Sequence, residues 1–504
     1  MIPQFDPFQP AQFLDGAYRS TRFPYATERL NPATLKPVGH IASCTDEDVA
    51  FAAAVARRAQ RPWAATDAKS RAAVLHRIAD TIERMSPHRV ARMMVEEMGK
   101  PYAEAVGELA NCASVFRYYA ELARDDAGKV AGTTQTGSLQ YARAYPYGVS
   151  VHILPFNYPI LLMCWTVAAS LAAGNACIVK PAVATTLCTL RFMHVFAELP
   201  AGLIAVLPGE TDTAQALIRS PGTHVVAFTG SVAGGRAVAS ACGSQLKPCI
   251  IEAGGSDAMI VTDHAPLEVA VPGCVTAAFH LSGQICTSAE RFFVTEGIHD
   301  DFVKQFAAAT KALRIGNGLD RSEIGPMVSE ASRDRVARLV EETVAAGATL
   351  VCGGRVPPSH PTGWFYEPTI LTDVPPGAAI LREEVFGPVA AITRVPNLAT
   401  ALARANDTEF GLGASIFTTD LAEAHQATEA LETGMVWVNN PLIDNDALPF
   451  GGWKLSGMGR ELGRHGLDAF RQTKMVVIDH KPQVQSWWYP YPDQAFYRSD
   501  PDDL

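Results

Sequence analysis

The sequence lacks the residue patterns of metal-binding, disulfide-stabilised and nucleic-acid-binding proteins. None of its ten cysteines forms a C-x-x-C pair, and most lie in apolar stretches, as reduced core cysteines do. This pattern argues against a zinc site and against a disulfide scaffold. The net charge is −10 and no run of Lys and Arg is present, although a nucleic-acid binder needs such clusters to displace counterions from phosphates. We therefore expect no bound metal and no nucleic-acid partner.

The sequence also lacks an uninterrupted apolar run long enough to suggest a membrane span. Its longest candidate, at about 160–179, is broken by Gly174 and Asn175 and is followed directly by Lys180 and Pro181. This favours a buried helix followed by a buried strand. The first residues carry neither the basic segment nor the apolar segment of a secretory signal. We therefore expect a cytoplasmic protein that is not bound to a membrane.

Length and composition predict a globular protein of two or three domains. The chain has 504 residues, more than one hydrophobic core usually serves, with 48% hydrophobic and 19% charged residues. Apolar residues recur at helical spacing from about 46 to 125, and strand-like and helix-like segments alternate from about 148 to 262 and again from about 257 to 440. Such alternation predicts the α/β class, with doubly wound sheets whose parallel strands are buried on both faces. The predicted strands are VSVHIL, NACIVKP, LIAVLPG, HVVAFTG and KPCIIEAGG in the first region, and AMIV, RFFVTEG, TLVCGG, AAITRV, GASIFT and MVWVNN in the second.

Two segments of the first region could contact a phosphorylated cofactor. Gly230, Ser231 and Gly235 directly follow a predicted strand at the start of a helix, where backbone amides and the helix dipole favour an anion. Lys180 closes an apolar strand at the edge where ligands of parallel sheets bind. A plain strand-to-helix turn and a solvated strand end would explain these residues equally well.

Three further motifs each place one reactive residue among small or apolar neighbours. Asn157 lies in PFNYP, Glu252 in CIIEAGG and Cys286 in LSGQICTSAER. A thiolate attacks carbonyl carbons, a side-chain amide can donate to the resulting oxyanion, and a carboxylate can take a proton from a thiol or from water. Taken singly, each also has a structural explanation, as a turn residue, a capping group or a core cysteine.

The order of the motifs identifies a family. From about residue 20 to 480 the sequence resembles the aldehyde dehydrogenase superfamily, through PFNYP, IVKPA, FTGS-x-x-x-G, IEAGG, GQIC, EEVFGPV and PFGGWKLSGMGRE. The resemblance implies that Cys286 is the nucleophile, Glu252 the general base and Asn157 part of the oxyanion hole. It implies oxidation of an aldehyde to the carboxylic acid with NAD(P)+, through a thiohemiacetal and a thioester on Cys286.

The same resemblance implies the cofactor contacts. Lys180 would bind the adenine ribose, Gly230, Ser231 and Gly235 would face the pyrophosphate, and Glu384 and Phe386 would hold the nicotinamide ribose and ring. Asn439 would support the loop that faces the substrate. Many NAD-using members have a glutamate where Val183 stands, so NAD and NADP both remain possible, and Glu210 favours NAD slightly.

The implied domains match the alternating regions. The resemblance predicts a Rossmann-like NAD(P)-binding domain over 1–127 and 147–254 and an α/β catalytic domain over 255–456. A small β oligomerisation arm would comprise 128–146 together with the C-terminal segment 457–504. We expect a homodimer or homotetramer.

The substrate pocket predicted from the resemblance contains no cation. Its residues are Tyr158, Leu162, Trp165, His280, Thr287 and Phe450. Asp444 and Asp446 lie in the adjacent loop, where they would repel an anionic aldehyde. The pocket therefore favours a neutral apolar or aromatic aldehyde, whereas the GGSDA segment resembles members that oxidise semialdehydes.

Two other activities are compatible with part of the pattern. A CoA-acylating aldehyde dehydrogenase would share most motifs, but it has no need of Glu252 to activate water. A cysteine hydrolase or acyltransferase could use Cys286 with His280, but it leaves every cofactor motif unexplained.

Overall fold

The computed structural model describes residues 5–20, 26–125, 128–134 and 136–496. Its helices are α1 Asp46–Ala65, α2 Ala68–Arg84, α3 His88–Met98, α4 Tyr102–Ala110, α5 Cys112–Asp125, α6 Leu161–Ala173, α7 Thr186–Phe192, α8 Thr211–Arg219, α9 Val232–Gly243, α10 Leu267–Phe279, α11 His299–Lys311, α12 Glu330–Ala345, α13 Leu398–Asn406, α14 Leu421–Ala430 and α15 Gly463–Asp468. Its strands are β1 Ala11–Leu14, β2 Ala17–Ser20, β3 Ala26–Leu30, β4 Pro37–Ala42, β5 Lys129–Val130, β6 Ser138–Pro146, β7 Val149–Ile153, β8 Ala176–Lys180, β9 Ile204–Val206, β10 Val225–Gly230, β11 Cys249–Ala253, β12 Asp257–Val261, β13 Ala289–Thr295, β14 Thr349–Cys352, β15 Thr369–Thr372, β16 Val389–Val395, β17 Gly413–Phe417, β18 Met435–Val438, β19 Gly457–Met458 and β20 Arg471–Asp479.

The larger of two compact units, Met1–Asp125 with Pro146–Arg471, contains two sheets. The first runs in the order β19-β11-β10-β7-β8-β9-β1-β2, and its five central strands are parallel. Strands β7, β8 and β9 are buried along their whole length because helices cover both faces. This is the doubly wound sheet predicted for the cofactor domain.

The second sheet runs in the order β14-β15-β16-β13-β12-β17-β18 and is parallel except for its edge strand β14. Helices α10 and α11 pack with β13 around a core of stacked phenylalanine rings, which includes Phe279, Phe302 and Phe306. The predicted α/β fold class is thereby confirmed.

The long apolar run folds as a helix and a strand. All thirteen residues of α6 are buried, and Gly174 ends the helix with a φ of +100°, a conformation that favours glycine. The chain then enters β8 at Ala176. No helix in the described ranges is long and apolar enough to cross a membrane.

The smaller unit, Asp126–Tyr145 with Gln472–Leu504, contains a three-stranded sheet in the order β20-β6-β5. The arm predicted at 128–146 and 457–504 therefore begins later at its C-terminal part. Gly457 and Met458 pair with Glu252 and Ile251 at the edge of the first sheet, and this pairing holds 457–471 in the larger unit.

Candidate active site

A cleft of about 750 Å³ opens at the carboxyl ends of the parallel strands of the first sheet. Ligands of open α/β sheets bind at this edge because the strand-to-helix loops diverge there. Ten of the predicted site residues line the cleft: Asn157, Leu162, Lys180, Gly230, Ser231, Glu252, Cys286, Glu384, Phe386 and Phe450. Residues more than 200 positions apart in the sequence thus surround one cavity.

Cys286 lies half-buried in the loop between α10 and β13. Leu281 and Ser282, at the start of this loop, have φ values of +52° and +55°, a left-handed backbone that turns the chain back toward the cleft. Burial raises the pKa of the Cys286 thiol well above its usual range, and the carboxylates of Asp257, Glu384, Asp444 and Glu252 raise it further. The thiol therefore needs a base to become nucleophilic.

Glu252 lies buried on β11 beside a second buried carboxylate, Glu461. Neither carboxylate oxygen of Glu252 has a hydrogen-bond partner among the described residues. Burial raises the pKa of Glu252 well above its usual range, and Glu461 raises it further. Burial also raises the pKa of Glu461 to about 8, although Thr229 Oγ1 donates to it at 3.3 Å. Glu461 is the last residue of the PFGGWKLSGMGRE motif, but no local pattern in the sequence indicates that it lies beside Glu252.

Space for the Glu252 carboxylate comes from glycine. A Cβ atom added to Gly451 would lie 2.4 Å from Glu252 Oε1, and the φ of +151° at this position is one that L side chains rarely adopt. Gly451, the first glycine of the PFGGW motif, therefore leaves room for the carboxylate that any larger residue would fill.

Asn157 follows β7 and is 2% exposed. Its Oδ1 accepts a hydrogen bond from Tyr158 N at 3.1 Å, so the Nδ2 end of the amide remains for a ligand in the cleft. An amide held in this way can donate to an oxyanion.

The predicted substrate residues do not all reach the cleft. Leu162 and Phe450 line it, and the Trp165 ring packs on Phe450 with 4.9 Å between centroids. His280 Nδ1 instead lies 3.3 Å from Glu104 Oε1. Thr287 and Tyr158 do not line the cleft either. Thr287 is buried, and the Tyr158 ring packs against the buried Lys100.

Another part of the cleft lining consists of the residues predicted to contact the adenosine half of the cofactor. Lys180 ends β8, and burial lowers the pKa of its ammonium to about 8, an effect that Glu210 partly opposes. Ser231 caps α9 by accepting a hydrogen bond from Gly234 N at 3.2 Å. Gly234 lines the cleft, whereas Gly235 lies against Ile251 and serves helix–sheet packing.

Glu290, a buried carboxylate that was not predicted from the sequence, supports the turn that carries Glu384 and Phe386. Glu290 accepts hydrogen bonds from Val385 N and Phe386 N at 2.9 and 2.8 Å. These bonds support Phe386 at a φ of +48° and bring the neighbouring Glu384 against Gly254. Glu290 lies in the CTSAER segment, where only the tertiary fold indicates its role.

Asn439 directly follows β18. Its side-chain amide pairs with the backbone of Thr418, accepting from N at 2.9 Å and donating to O at 2.7 Å. It thereby ties the end of β18 to the end of β17, just before the loop that carries Asp444.

The cleft fits a dinucleotide. It offers a capped helix N-terminus next to a glycine for phosphates, a buried lysine for a ribose and a carboxylate on a rigid turn for a second ribose. In the described ranges, no group of three or more His, Cys, Asp or Glu side chains could hold a metal ion.

Comparisons with known proteins show the family to which the chain belongs. The model of the aldehyde dehydrogenase family matches residues 20–476. The chain is 38% identical to geranial dehydrogenase of Castellaniella defragrans over 92% of this chain and 98% of that protein. It is also 38% identical to the NADP+ succinate-semialdehyde dehydrogenase 1 of Mycobacterium tuberculosis, over 90% of this chain and all of that protein.

A solved structure shares the fold along almost the whole chain. Betaine aldehyde dehydrogenase of Staphylococcus aureus, in complex with NAD+, superposes with a TM-score of 0.91 at 29% identity over 96% of this chain and 97% of that chain. The chain therefore belongs to the aldehyde dehydrogenase family and is an NAD(P)-dependent aldehyde dehydrogenase.

Proposed function

We propose that the enzyme oxidises a neutral apolar or aromatic aldehyde to a thioester on Cys286, which is then hydrolysed to the carboxylic acid. The observation that carries this proposal is the convergence of Cys286, Glu252 and Asn157 on one cleft. The Cys286 sulfur attacks the aldehyde carbon after losing its proton to a base, and Asn157 donates to the developing oxyanion. When bound, the dinucleotide supplies the acceptor for the hydride that the thiohemiacetal loses.

Glu252 acts in the second half of the reaction. It takes a proton from water, the resulting hydroxide attacks the thioester carbonyl, and the acid leaves as the Cys286 sulfur is released. A raised pKa suits this step, because the carboxyl must both take and release a proton near neutral pH. Lys180, Gly230, Ser231, Glu384 and Phe386 hold the dinucleotide during both halves.

The buried carboxylate pair makes a testable contribution to the pH dependence. Glu461 raises the pKa of Glu252 because its negative charge disfavours a second one nearby. We expect Glu461→Gln to lower the pKa of Glu252, so that the rising limb of the kcat–pH profile moves to lower pH when hydrolysis is rate-limiting. A limb that stays in place or moves to higher pH would contradict the coupling.

Substrate choice rests on the apolar lining near Cys286. Leu162 and Phe450 border the cleft, Trp165 supports Phe450, and Asp444 is one of the carboxylates whose charge acts on Cys286. We expect kcat/KM for hexanal and benzaldehyde to exceed that for succinate semialdehyde by about 100-fold, since an anion gains no counter-charge here. Initial rates on this panel, with betaine aldehyde included, measure the preference. A clear preference for succinate semialdehyde would instead support the semialdehyde alternative.

We propose NAD as the preferred cofactor because Glu210 lies beside Lys180 at the ribose end of the cleft. A carboxylate can accept a hydrogen bond from a ribose 2′-hydroxyl and repels a 2′-phosphate. Val183 also lines the cleft there and can do neither.

We expect Glu210→Gln to reduce the ratio of kcat/KM for NAD+ over NADP+ by about 10-fold. Asp212→Asn, two residues further on and outside the cleft lining, is the matched control and should leave the ratio unchanged. Equal ratios in both variants would remove Glu210 from cofactor selection.

We also propose a homo-oligomer. The edge strand β20 exposes apolar side chains, with Met475 80% and Val477 53% accessible, and apolar surface of this kind favours association. Sedimentation velocity should give a dimer or tetramer, and a monomer at micromolar concentration would refute the proposal.

We propose a cytoplasmic location. All ten cysteines are free thiols, the state that a reducing compartment maintains. Cell fractionation with antibody detection tests this, and recovery in a secreted fraction would contradict it.

A further inference from the structure

The turn between α3 and α4 carries a fully buried lysine to which the proposed mechanism gives no role. Lys100 and Glu108 are both completely shielded from solvent, and the Lys100 ammonium donates a hydrogen bond to Glu108 Oε2. Removing a charged pair from water is costly, and the cost is offset only when both groups have good partners. The other contacts of this pair therefore indicate what it holds in place.

The second oxygen of Glu108 binds the start of α6. Ile160 N and Leu161 N donate to Glu108 Oε1 at 2.8 and 3.0 Å. The residue at the N-cap position of α6 is Ile160, whose side chain cannot accept a hydrogen bond. Glu108 therefore satisfies two of the first amides of the helix and meets the positive end of its dipole.

The ammonium group also contacts the residue next to Asn157. Lys100 Nζ lies 3.8 Å from the centroid of the Tyr158 ring, within the range of a cation–π interaction. Tyr158 N donates in turn to Asn157 Oδ1 at 3.1 Å. Lys100 thus contacts the Tyr158 ring directly and the start of α6 through Glu108. Asn157 immediately precedes both in the chain.

We propose that Lys100 is a positioning residue for the oxyanion donor: acting through Glu108 and the Tyr158 ring, it fixes the segment that presents the Asn157 amide to the cleft. This inference rests on the proposed function, since it requires Asn157 to stabilise the oxyanion. Without Lys100, Glu108 becomes a buried charge lacking its partner, and its hold on the α6 amides changes. A displacement of a catalytic donor by about 1 Å is enough to cost about 100-fold in rate.

The chain contains a matched control at another helix. Glu97, also fully buried, accepts hydrogen bonds from Leu187 N and Cys188 N of α7 at 2.7 and 2.9 Å. The Arg29 guanidinium supports the same residue by donating from Nε to Glu97 O at 2.8 Å. Arg29→Met therefore removes a half-buried cation that supports a glutamate at the start of a different helix, α7.

A double-mutant cycle on the full-length enzyme tests the inference. We would measure kcat/KM for hexanal, the pre-steady-state burst of reduced cofactor and the thermal midpoint for Lys100→Met, Asn157→Ala and the double variant. Lys100→Met alone should lower kcat/KM and the burst rate by about 100-fold. In the Asn157→Ala background, the same substitution should cost less than about 3-fold, because the donor that it positions is already gone.

Each outcome decides the matter. The fold-losses in rate caused by Arg29→Met and by Asn157→Ala should multiply when the two substitutions are combined. If the losses caused by Lys100→Met and by Asn157→Ala also multiply, Lys100 has only a structural role and the inference fails. If Asn157→Ala alone has no effect on the burst rate, the proposed oxyanion role fails, and this result is separate from the first. Should Lys100→Met not fold, Glu108→Gln replaces it in the cycle with the same expected coupling, and Lys100→Arg, which keeps the charge, should recover most of the activity.

Discussion

Replacing Cys286 by alanine should abolish aldehyde oxidation, with a loss of at least about 10⁴-fold in kcat. The covalent route needs the sulfur as attacking group and as leaving group, and a methyl side chain provides neither. Steady-state formation of reduced cofactor with hexanal measures the effect. Because the half-buried thiol contributes little to the core, cofactor affinity measured by fluorescence titration should change less than about 2-fold.

The control for this variant is Cys352→Ala, which removes another half-buried thiol from β14 in the second sheet. Its activity should match that of the unaltered enzyme. Turnover that survives in Cys286→Ala would exclude the thioester route, whereas loss of cofactor binding would show that the substitution damaged the cleft as a whole.

Replacing Glu252 by glutamine should stop the reaction after its first half. We expect kcat to fall by about 10³-fold while a burst of about one reduced cofactor per subunit remains, because the acyl group stays on Cys286 when water is not activated. Rapid mixing followed by mass spectrometry of the protein should reveal the acyl adduct.

Two results would change this assignment. If the burst is also lost, Glu252 acts earlier, as the base that takes the Cys286 proton. If added coenzyme A restores turnover and yields an acyl-CoA, the enzyme belongs to the acylating branch, for which Glu252 is dispensable. Glu252→Asp, which keeps a shortened carboxylate, should retain more activity than the glutamine variant.

The sequence predicted most of the sheet architecture because each buried parallel strand is a short run of apolar residues. All eleven strands named from the sequence are present, and the region predicted to be helical from about 46 to 125 contains α1 to α5. Strand β15 and the strands β1 and β2, which lie at one end of the first sheet, were not predicted from the sequence. The sequence did not indicate that residues 457–471 belong with the larger unit, because the pairing of Gly457 with Glu252 is a long-range contact.

The predicted site residues that line the cleft include those whose motifs lie at or near a strand end. Lys180 and Gly230 end their strands and Asn157 and Glu252 lie near the carboxyl ends of theirs, so the parallel topology brings all four to one edge of the sheet. Gly235 shows the limit of such reasoning, because the helix turns it toward Ile251 and away from the cleft. His280 shows it again, since its partner Glu104 comes from a helix about 180 residues earlier.

The sequence by itself determined the fold class and the family and predicted the nucleophile, because these depend on local residue types in a fixed order. Only the tertiary structure revealed that Glu461 adjoins Glu252, that Glu290 holds the Phe386 turn, and that Lys100 lies beneath Tyr158. Burial and electrostatic coupling depend on distances between residues far apart in the chain. No local pattern encodes those distances, and they set the pKa of a base or the placement of an oxyanion donor.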